Sequence, residues 1–206
     1  ILPAGLTLRP YQQRGVQWMQ TLDRLHLGGV LADDMGLGKT VQVIALLLSA
    51  RDPEKKVGAI QPSIVVAPTT LTYNWLSELG RFAPDLSVMV LAGSAAQRAS
   101  QIRHVKTVGD VDVLITSYPL IRQDIEQLTD IEFRFAILDE AQHIKNAGSK
   151  AAMAVRQLKA RTRFALTGTP LENGVGELWS IFNFVLPGYL LSYSAFMRRF
   201  QNGAGG

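Results

Sequence analysis

The chain has 206 residues, of which 47% are hydrophobic and 18% are charged, enough apolar material to bury the core of one sizeable α/β domain. It contains no cysteine, which excludes disulfides and cysteine-ligated zinc. No apolar run reaches the roughly 18 residues of a membrane span, and no signal peptide is recognisable at the start. The net charge of +4 weakly favours a polyanionic partner.

The first predicted helix lies within residues 6–27, where apolar side chains recur at helical spacing and Pro10 suits the first turn. Core packing is the expected role of Tyr11 and Trp18. An amide carries both donors and an acceptor, so Gln12 could contact an adenine edge. From composition alone, a solvated glutamine is the expected state.

The pattern of a strand, a glycine-rich loop and a helix follows over residues 29–48, with the loop sequence ADDMGLGKT at 32–40. Backbone N–H groups in such a loop and the dipole of the following helix favour anionic oxygens. Lys39 would bring a positive charge to the β- and γ-phosphates of a nucleotide, and Thr40 a hydroxyl to Mg²⁺. The strict phosphate-loop pattern has glycine at the position of Asp33, so a glycine-rich turn on a basic surface is the alternative.

Short apolar runs alternate with helical patterns along the rest of the chain. The predicted strands are residues 29–31, 63–67, 87–91, 111–116, 133–138 and 163–167, and the later predicted helices are 71–81, 95–105, 118–128, 149–158, 177–186 and 194–200. This alternation predicts a three-layer α/β fold, a parallel sheet with helices on both faces and right-handed crossovers. We expect one lobe over residues 1–200 and a disordered tail over 201–206.

Polar clusters follow several predicted strands at the point where each strand ends. They are residues 33–40, 68–70, 139–142 and 167–169. Ligands of such sheets bind beyond the carboxyl ends of the strands. The topology places these clusters on one edge of the sheet, and this convergence indicates a site more strongly than any single motif.

Two carboxylates, Asp139 and Glu140, end an apolar strand. Phosphoryl transfer needs a metal held against the phosphates, usually by an Asp together with the loop Ser/Thr. Asp139 suits that role with Thr40 as its partner, and Glu140 lies where a water-activating carboxylate is expected. The predicted catalytic residues are therefore Lys39, Asp139 and Glu140. The alternative for the acidic pair is a surface Asp-Glu that opens a helix.

Hydroxyl residues after other strands form two further candidate groups. Thr167, Gly168 and Thr169 could sense the γ-phosphate and transmit its presence to a second surface. Hydroxyls and backbone N–H groups are also typical contacts of nucleic-acid phosphates. The candidates for that role are Thr69, Thr70, Thr116 and Ser117. Each of these residues could instead form a turn or a helix cap.

Taken together, the segments resemble the first motor lobe of a superfamily-two helicase, in the Swi/Snf-type family of double-stranded DNA translocases. The matching segments are residues 8–12 (adenine motif), 33–40 (motif I), 66–75 (Ia), 115–118 (Ib), 139–142 (II), 166–173 (III) and 177–188. Asp33 and Met35 are normal in motif I of this family. Gln142 stands where many members have His.

The resemblance implies a RecA-like P-loop NTPase lobe that uses ATP and Mg²⁺. The implied nucleotide contacts are Gln12, Asp34, Gly36, Leu37, Gly38, Lys39 and Thr40, and the implied Mg²⁺ ligands are Thr40 and Asp139. The implied partners are double-stranded DNA and a second RecA-like lobe of the same protein. The family's arginine fingers belong to that second lobe, and their absence can cost roughly 10³ to 10⁵ in rate, so we expect this lobe alone to be nearly inactive.

The leading hypothesis is the ATP-binding lobe of a DNA-dependent ATPase that moves along duplex DNA. We expect a monomer in an intracellular, DNA-associated location (cytoplasm, nucleoid or nucleus), without membrane attachment. One alternative is a catalytically inactive nucleic-acid-binding module, and another is a small-molecule phosphotransferase such as a kinase. The nucleic acid could also be RNA in place of DNA. Comparing the salt dependence of binding to duplex DNA and duplex RNA would distinguish the two.

Overall fold

The computed structural model describes residues 7–32, 38–51, 54, 60–168 and 174–201. The strands are β1 (Gly29–Leu31), β2 (Ser63–Ala67), β3 (Val88–Val90), β4 (Val113–Ser117), β5 (Glu132–Leu138) and β6 (Lys159–Leu166). The helices are α1 (Pro10–Arg24), α2 (Lys39–Ala50), α3 (Thr72–Phe82), α4 (Ala95–Val108), α5 (Tyr118–Leu128), α6 (Lys150–Arg156), α7 (Val175–Val185) and α8 (Tyr193–Gln201). Two 3₁₀ turns, Thr69–Leu71 and Ala141–Ile144, follow β2 and β5.

The strands form one parallel sheet in the order β1-β6-β5-β2-β4-β3. All residues of β2 are buried, because helices cover both faces of the sheet. Ile64 and Val66 pack on one face and Val65 and Ala67 on the other, as the two-residue period of a strand requires. The predicted three-layer arrangement is confirmed.

The two faces carry different helices. α1, α2 and α3 pack on one face, and α4, α5, α6 and α7 pack on the other. α2 and α3 carry the chain from the β1 side of the sheet to β3, and α4 to α6 carry it back. Crossovers of a single hand require the helices to change face when the direction reverses. The chain therefore leaves the adjacent strands β2 and β5 toward opposite faces, which opens a crevice at their carboxyl ends.

The boundaries differ from the predictions in a few places. β6 begins at Lys159 rather than residue 163, because the polar start of this strand pairs with Glu132 at the start of β5. Trp18 is 40% exposed, so its predicted core role is wrong, and Tyr11 is half-buried. No helix within the described residues has the length and apolar character needed to cross a membrane.

Candidate functional site

A cleft of about 410 Å³ opens at the carboxyl edge of the sheet. Its walls are formed by Gly38, Lys39, Thr40, Val41, Leu71, Asn74, Trp75, Glu78, Asp139 and Glu140. The start of α2 forms one wall, α3 forms a second, and the end of β5 forms the floor. The candidate phosphate-binding pair Lys39 and Thr40 thus shares one cleft with the acidic pair Asp139 and Glu140, although the two pairs are far apart in the chain.

The amino end of α2 is shaped by Gly38, which has a left-handed backbone conformation with φ of 73°. This conformation favours glycine, and a Cβ at this position would lie 2.4 Å from Nε2 of Gln12, so the Gln12 amide would have to move. Gln12 is 8% exposed, and its Oε1 accepts a hydrogen bond from the backbone N–H of Arg9 at 2.9 Å. The solvated glutamine expected from composition is therefore wrong, because the amide is buried against the last glycine of the loop.

Lys39 and Thr40 are the first two residues of α2, where backbone N–H groups have no partner within the helix and the helix dipole favours anions. This position fits the predicted role of both residues beside phosphate oxygens. The other predicted loop contacts, Asp34, Gly36 and Leu37, and the predicted coupling residue Thr169 lie outside the described residues.

Asp139 is a buried carboxylate at the end of β5. Its Oδ2 accepts a hydrogen bond from Nε1 of Trp75 at 2.8 Å, and its Oδ1 accepts one from the backbone N–H of Glu140 at 2.9 Å. Burial raises the pKa of Asp139, the Glu140 charge adds to the rise, and the Trp75 hydrogen bond and the Lys39 charge oppose it. A cation bound here would favour the ionised form.

Glu140 has a left-handed backbone with φ of 48°, a conformation that costs a non-glycine residue about 1–3 kcal/mol. Its Oε2 accepts a hydrogen bond from Nε2 of Gln142 at 2.6 Å. Oε1 of Gln142 in turn accepts a long hydrogen bond from the hydroxyl of Thr167 at 3.4 Å. Thr167 is buried at the end of β6, with the half-buried Gly168 next to it. A continuous polar path therefore connects Glu140 with the end of the neighbouring strand.

The residues in the cleft fit a magnesium nucleotide in their chemistry. Mg²⁺ prefers oxygen ligands and is usually held by one or two carboxylates plus substrate phosphates, with the remaining positions taken by water. Asp139 and Thr40 offer a carboxylate and a hydroxyl in one cleft. Within the described part of the chain, no group of three or more His, Cys, Asp or Glu residues could hold a metal by itself, which fits a Mg²⁺ ion that is also coordinated by nucleotide phosphates and water.

Sequence reasoning missed the contribution of α3 to the cleft. The sequence placed Trp75 in the predicted helix 71–81 and at the end of the segment that resembles motif Ia, without a contact in the cleft, and it gave Glu78, one turn further along, no role. Both line the cleft, and burial raises the pKa of Glu78, with Arg81 opposing and Asp139 adding to that rise. Their separation of three positions places them on one helix face, a signal that could have identified the pair.

The hydroxyl candidates for nucleic-acid contacts divide into two pairs. Thr69 and Thr70 are exposed on the 3₁₀ turn before α3. Thr116 and Ser117 are buried in β4, and the Ser117 hydroxyl accepts a hydrogen bond from the backbone N–H of Leu120 at 3.4 Å, capping α5. Thr116 and Ser117 are therefore not accessible to a ligand at the surface, and Ser117 acts as a helix cap, the alternative given for it above.

The six-stranded parallel sheet, with helices on both faces and this cleft at its carboxyl edge, has the architecture of a RecA-like α/β lobe. The sequence model described as "SNF2-related domain" matches residues 11–204, and the chain belongs to that family. This confirms the resemblance to Swi/Snf-type proteins.

The proteins that this chain resembles are much longer, and the chain matches only a part of each of them. The chain is 41% identical over 202 residues to the TATA-binding protein-associated factor MOT1 of Saccharomyces cerevisiae, covering 94% of this chain and 11% of that protein. It is 43% identical over 195 residues to the putative ATP-dependent helicase/translocase YwqA of Bacillus subtilis, covering 94% and 20%. Among solved structures, it matches the Sulfolobus solfataricus SWI2/SNF2 ATPase core in complex with dsDNA, with a TM-score of 0.84 and 41% identity, over 98% of this chain and 40% of that chain.

Proposed function

We propose that this chain is the ATP-binding lobe, over residues 1–200, of a DNA-dependent ATPase that translocates on duplex DNA. The observation that carries the proposal is the shared cleft of Lys39, Thr40, Asp139 and Glu140. Membership of the SNF2-related family supports it, as does the similarity to a putative ATP-dependent helicase/translocase.

The phosphate side of the cleft would bind the nucleotide through the amino end of α2. Lys39 would pair with the β- and γ-phosphates, and the loop that ends at Gly38, with Asp34, Gly36 and Leu37, would surround them. Gln12, buried against Gly38, would contact the adenine. Bound Mg²⁺ would be held by Thr40 and Asp139 and would neutralise charge on the phosphates.

The acidic side would prepare the attacking water. Glu140 would orient this water and accept its proton, the role of a general base in phosphoryl transfer. Its hydrogen bond to Gln142, and the contact of Gln142 with Thr167, would make the Glu140 side chain sensitive to the segment with Gly168 and Thr169. We propose this segment as the coupling element to the rest of the motor.

The proposed partners are double-stranded DNA and a second RecA-like lobe of the same protein. The similarity to an ATPase core solved with dsDNA supports the first, and the exposed Thr69 and Thr70 are candidate hydroxyls for phosphate contacts. Arginine fingers from the second lobe would supply most of the rate, so this lobe by itself would bind Mg-ATP and turn it over slowly. The protein would act as a monomer in a DNA-associated location.

Titration calorimetry of Mg-ATP against the Lys39→Ala variant tests the proposal. We expect nucleotide binding to be lost while circular dichroism shows a retained fold, because Lys39 lines an open cleft and not the core. Lys150→Ala removes an exposed lysine from the start of another helix and is the matched control. Unchanged ATP affinity in Lys39→Ala would contradict the proposal, and duplex binding indifferent to Mg-ATP would favour an inactive nucleic-acid-binding module.

A further inference from the structure

Trp75 joins α3 to the acidic end of β5 through one hydrogen bond. The indole is buried and packs in the core on the α2 and α3 side of the sheet. A buried indole N–H needs an acceptor, and a carbonyl would be sufficient. Trp75 instead donates to Oδ2 of Asp139 at 2.8 Å, the carboxylate assigned to Mg²⁺.

The backbone N–H, the carbonyl and both carboxylate oxygens of Asp139 each form a hydrogen bond with a different residue. Its backbone N–H donates to the carbonyl of Val66 in β2 at 2.8 Å, and its carbonyl accepts from the hydroxyl of Tyr118 in α5 at 2.6 Å. Its Oδ1 accepts from the backbone N–H of Glu140. The Trp75 bond is the single contact among these in which a side chain from another element fixes the carboxylate itself.

This arrangement leaves binding capacity on the carboxylate. Each carboxylate oxygen has two lone pairs, and each oxygen of Asp139 accepts one hydrogen bond from Trp75 or Glu140. Hydrogen bonds to ionised acceptors are roughly twice as strong as neutral ones, so the indole restrains rotation of the side chain without neutralising its charge. A metal ligand fixed in this way loses little rotational freedom when the cation binds.

Resting on the proposed function of the cleft, we propose that Trp75 is a positioning residue that orients the Asp139 carboxylate for Mg²⁺-nucleotide. Trp75 acts through Asp139 and need not touch the nucleotide. The role differs from core packing because it predicts a loss confined to the metal-dependent part of nucleotide binding.

Titration calorimetry of ATP with Mg²⁺ and with excess EDTA separates the two roles in Trp75→Phe. The loss of a partner that orients a metal ligand typically lowers metal affinity about 10- to 100-fold, so we expect Mg-ATP affinity to fall within that range and metal-free ATP affinity to stay unchanged. Trp179→Phe is the matched control, because Trp179 is also buried and donates its indole N–H to the carbonyl of Leu191 at 2.8 Å but does not line the cleft. We expect it to change neither affinity.

Two further variants keep the test decisive if phenylalanine disturbs packing. Benzothienylalanine incorporated at position 75 preserves the bicyclic shape and replaces the N–H with sulfur, so it should reproduce the selective loss. In an Asp139→Asn background, Trp75→Phe should cause no further loss of Mg²⁺ dependence, since the two changes act on one contact.

The outcomes distinguish the inference from its foundation. An equal loss of ATP affinity with and without Mg²⁺, or full Mg²⁺ dependence in the benzothienylalanine protein, would overturn the role of Trp75 and leave the nucleotide site standing. Nucleotide binding by the wild-type chain that does not respond to Mg²⁺ would overturn the proposed function, and the inference with it.

Discussion

Asp23 and Asp139 are both buried acids, but Asp23 has a cationic hydrogen-bond partner and Asp139 has only neutral ones among the described residues. Asp23, near the end of α1, accepts hydrogen bonds from Nη1 of Arg134 at 2.7 Å and from the hydroxyl of Thr162 at 2.6 Å. Burial by itself would raise the pKa of Asp23, but these partners outweigh it, and the pKa is lowered.

Asp139 receives its hydrogen bonds from neutral donors, the Trp75 indole and a backbone N–H. Burial and the neighbouring Glu140 raise its pKa, and the opposing effects are too weak to reverse the shift. The comparison indicates that Asp23 has its cation built into the fold, whereas Asp139 is short of positive charge. Asp23 should therefore contribute to stability, and Asp139 to the binding of an external cation.

The largest expected effect is on Mg-ATP binding by Asp139→Asn. Loss of a metal ligand should exceed the roughly 10- to 100-fold cost of losing an outer-shell partner, so we expect Mg-ATP affinity to fall at least about 100-fold. Because the folded state raises the pKa of Asp139, removal of its charge should not lower the free energy of unfolding at neutral pH. Calorimetric titration and urea denaturation measure the two quantities.

Asp85→Asn is the control for this variant, because Asp85 is exposed and lies outside the cleft. Retained Mg²⁺ dependence in Asp139→Asn, or a large fall in its stability, would contradict the assignment of Asp139 to cation binding.

Arg134→Met should have the opposite profile. Breaking a buried ion pair by removing one partner costs about 3 kcal/mol at the lower end of the usual range, which suits a pair with side chains 19% and 11% exposed. We expect that loss in the free energy of unfolding by urea denaturation, with Mg-ATP affinity unchanged. Arg122→Met, at an exposed position of α5, should leave both values near those of the wild type.

The acid side of the stability profile offers a second measurement on the same variant. The lowered pKa of Asp23 means that its stabilising contribution is complete above the unfolded value of 3.8 and is lost as the pH falls through the folded value. Without the hydrogen bond and the charge of Arg134, the folded pKa of Asp23 would rise, so the decline in stability below about pH 4 should become shallower. An unchanged acid limb would show that Arg134 does not control Asp23.

The sequence predicted the elements more completely than the contacts between them. β2 and α5 have the predicted bounds, because apolar runs and helical periodicity are local signals. The rule that ligands bind at the carboxyl edge was enough to bring residues from α2 and β5 together. The donor to Asp139 could not be foreseen, since it depends on how α3 crosses the sheet. The ion pair between Asp23 and Arg134 was not predicted either. An arginine between two phenylalanines of a buried strand is nevertheless a sign that it has an acidic partner.

The sequence contains an indication that Thr116 and Ser117, which were predicted to contact nucleic acid, are buried. A strand buried on both faces hides every side chain along it, so Thr116 within the apolar run of β4 could have been expected inside. Thr69 and Thr70 follow the end of β2, where the chain reaches the surface. The phosphate-loop residues outside the described ranges, and Thr169, stay predictions.

The smallest expected effect separates these hydroxyls. Oγ1 of Thr116 is buried and has no hydrogen-bond partner among the residues that the structure describes, and a buried unsatisfied polar group costs about 1–3 kcal/mol. Thr116→Val replaces this hydroxyl with a methyl group, so we expect the free energy of unfolding to rise by about 1 kcal/mol with no change in duplex DNA affinity. Ser117→Ala, which removes the cap of α5, should lower it by about 0.5–1 kcal/mol. Weaker DNA binding by Thr116→Val would restore that hydroxyl as a nucleic-acid contact, and would require β4 to open when the duplex binds.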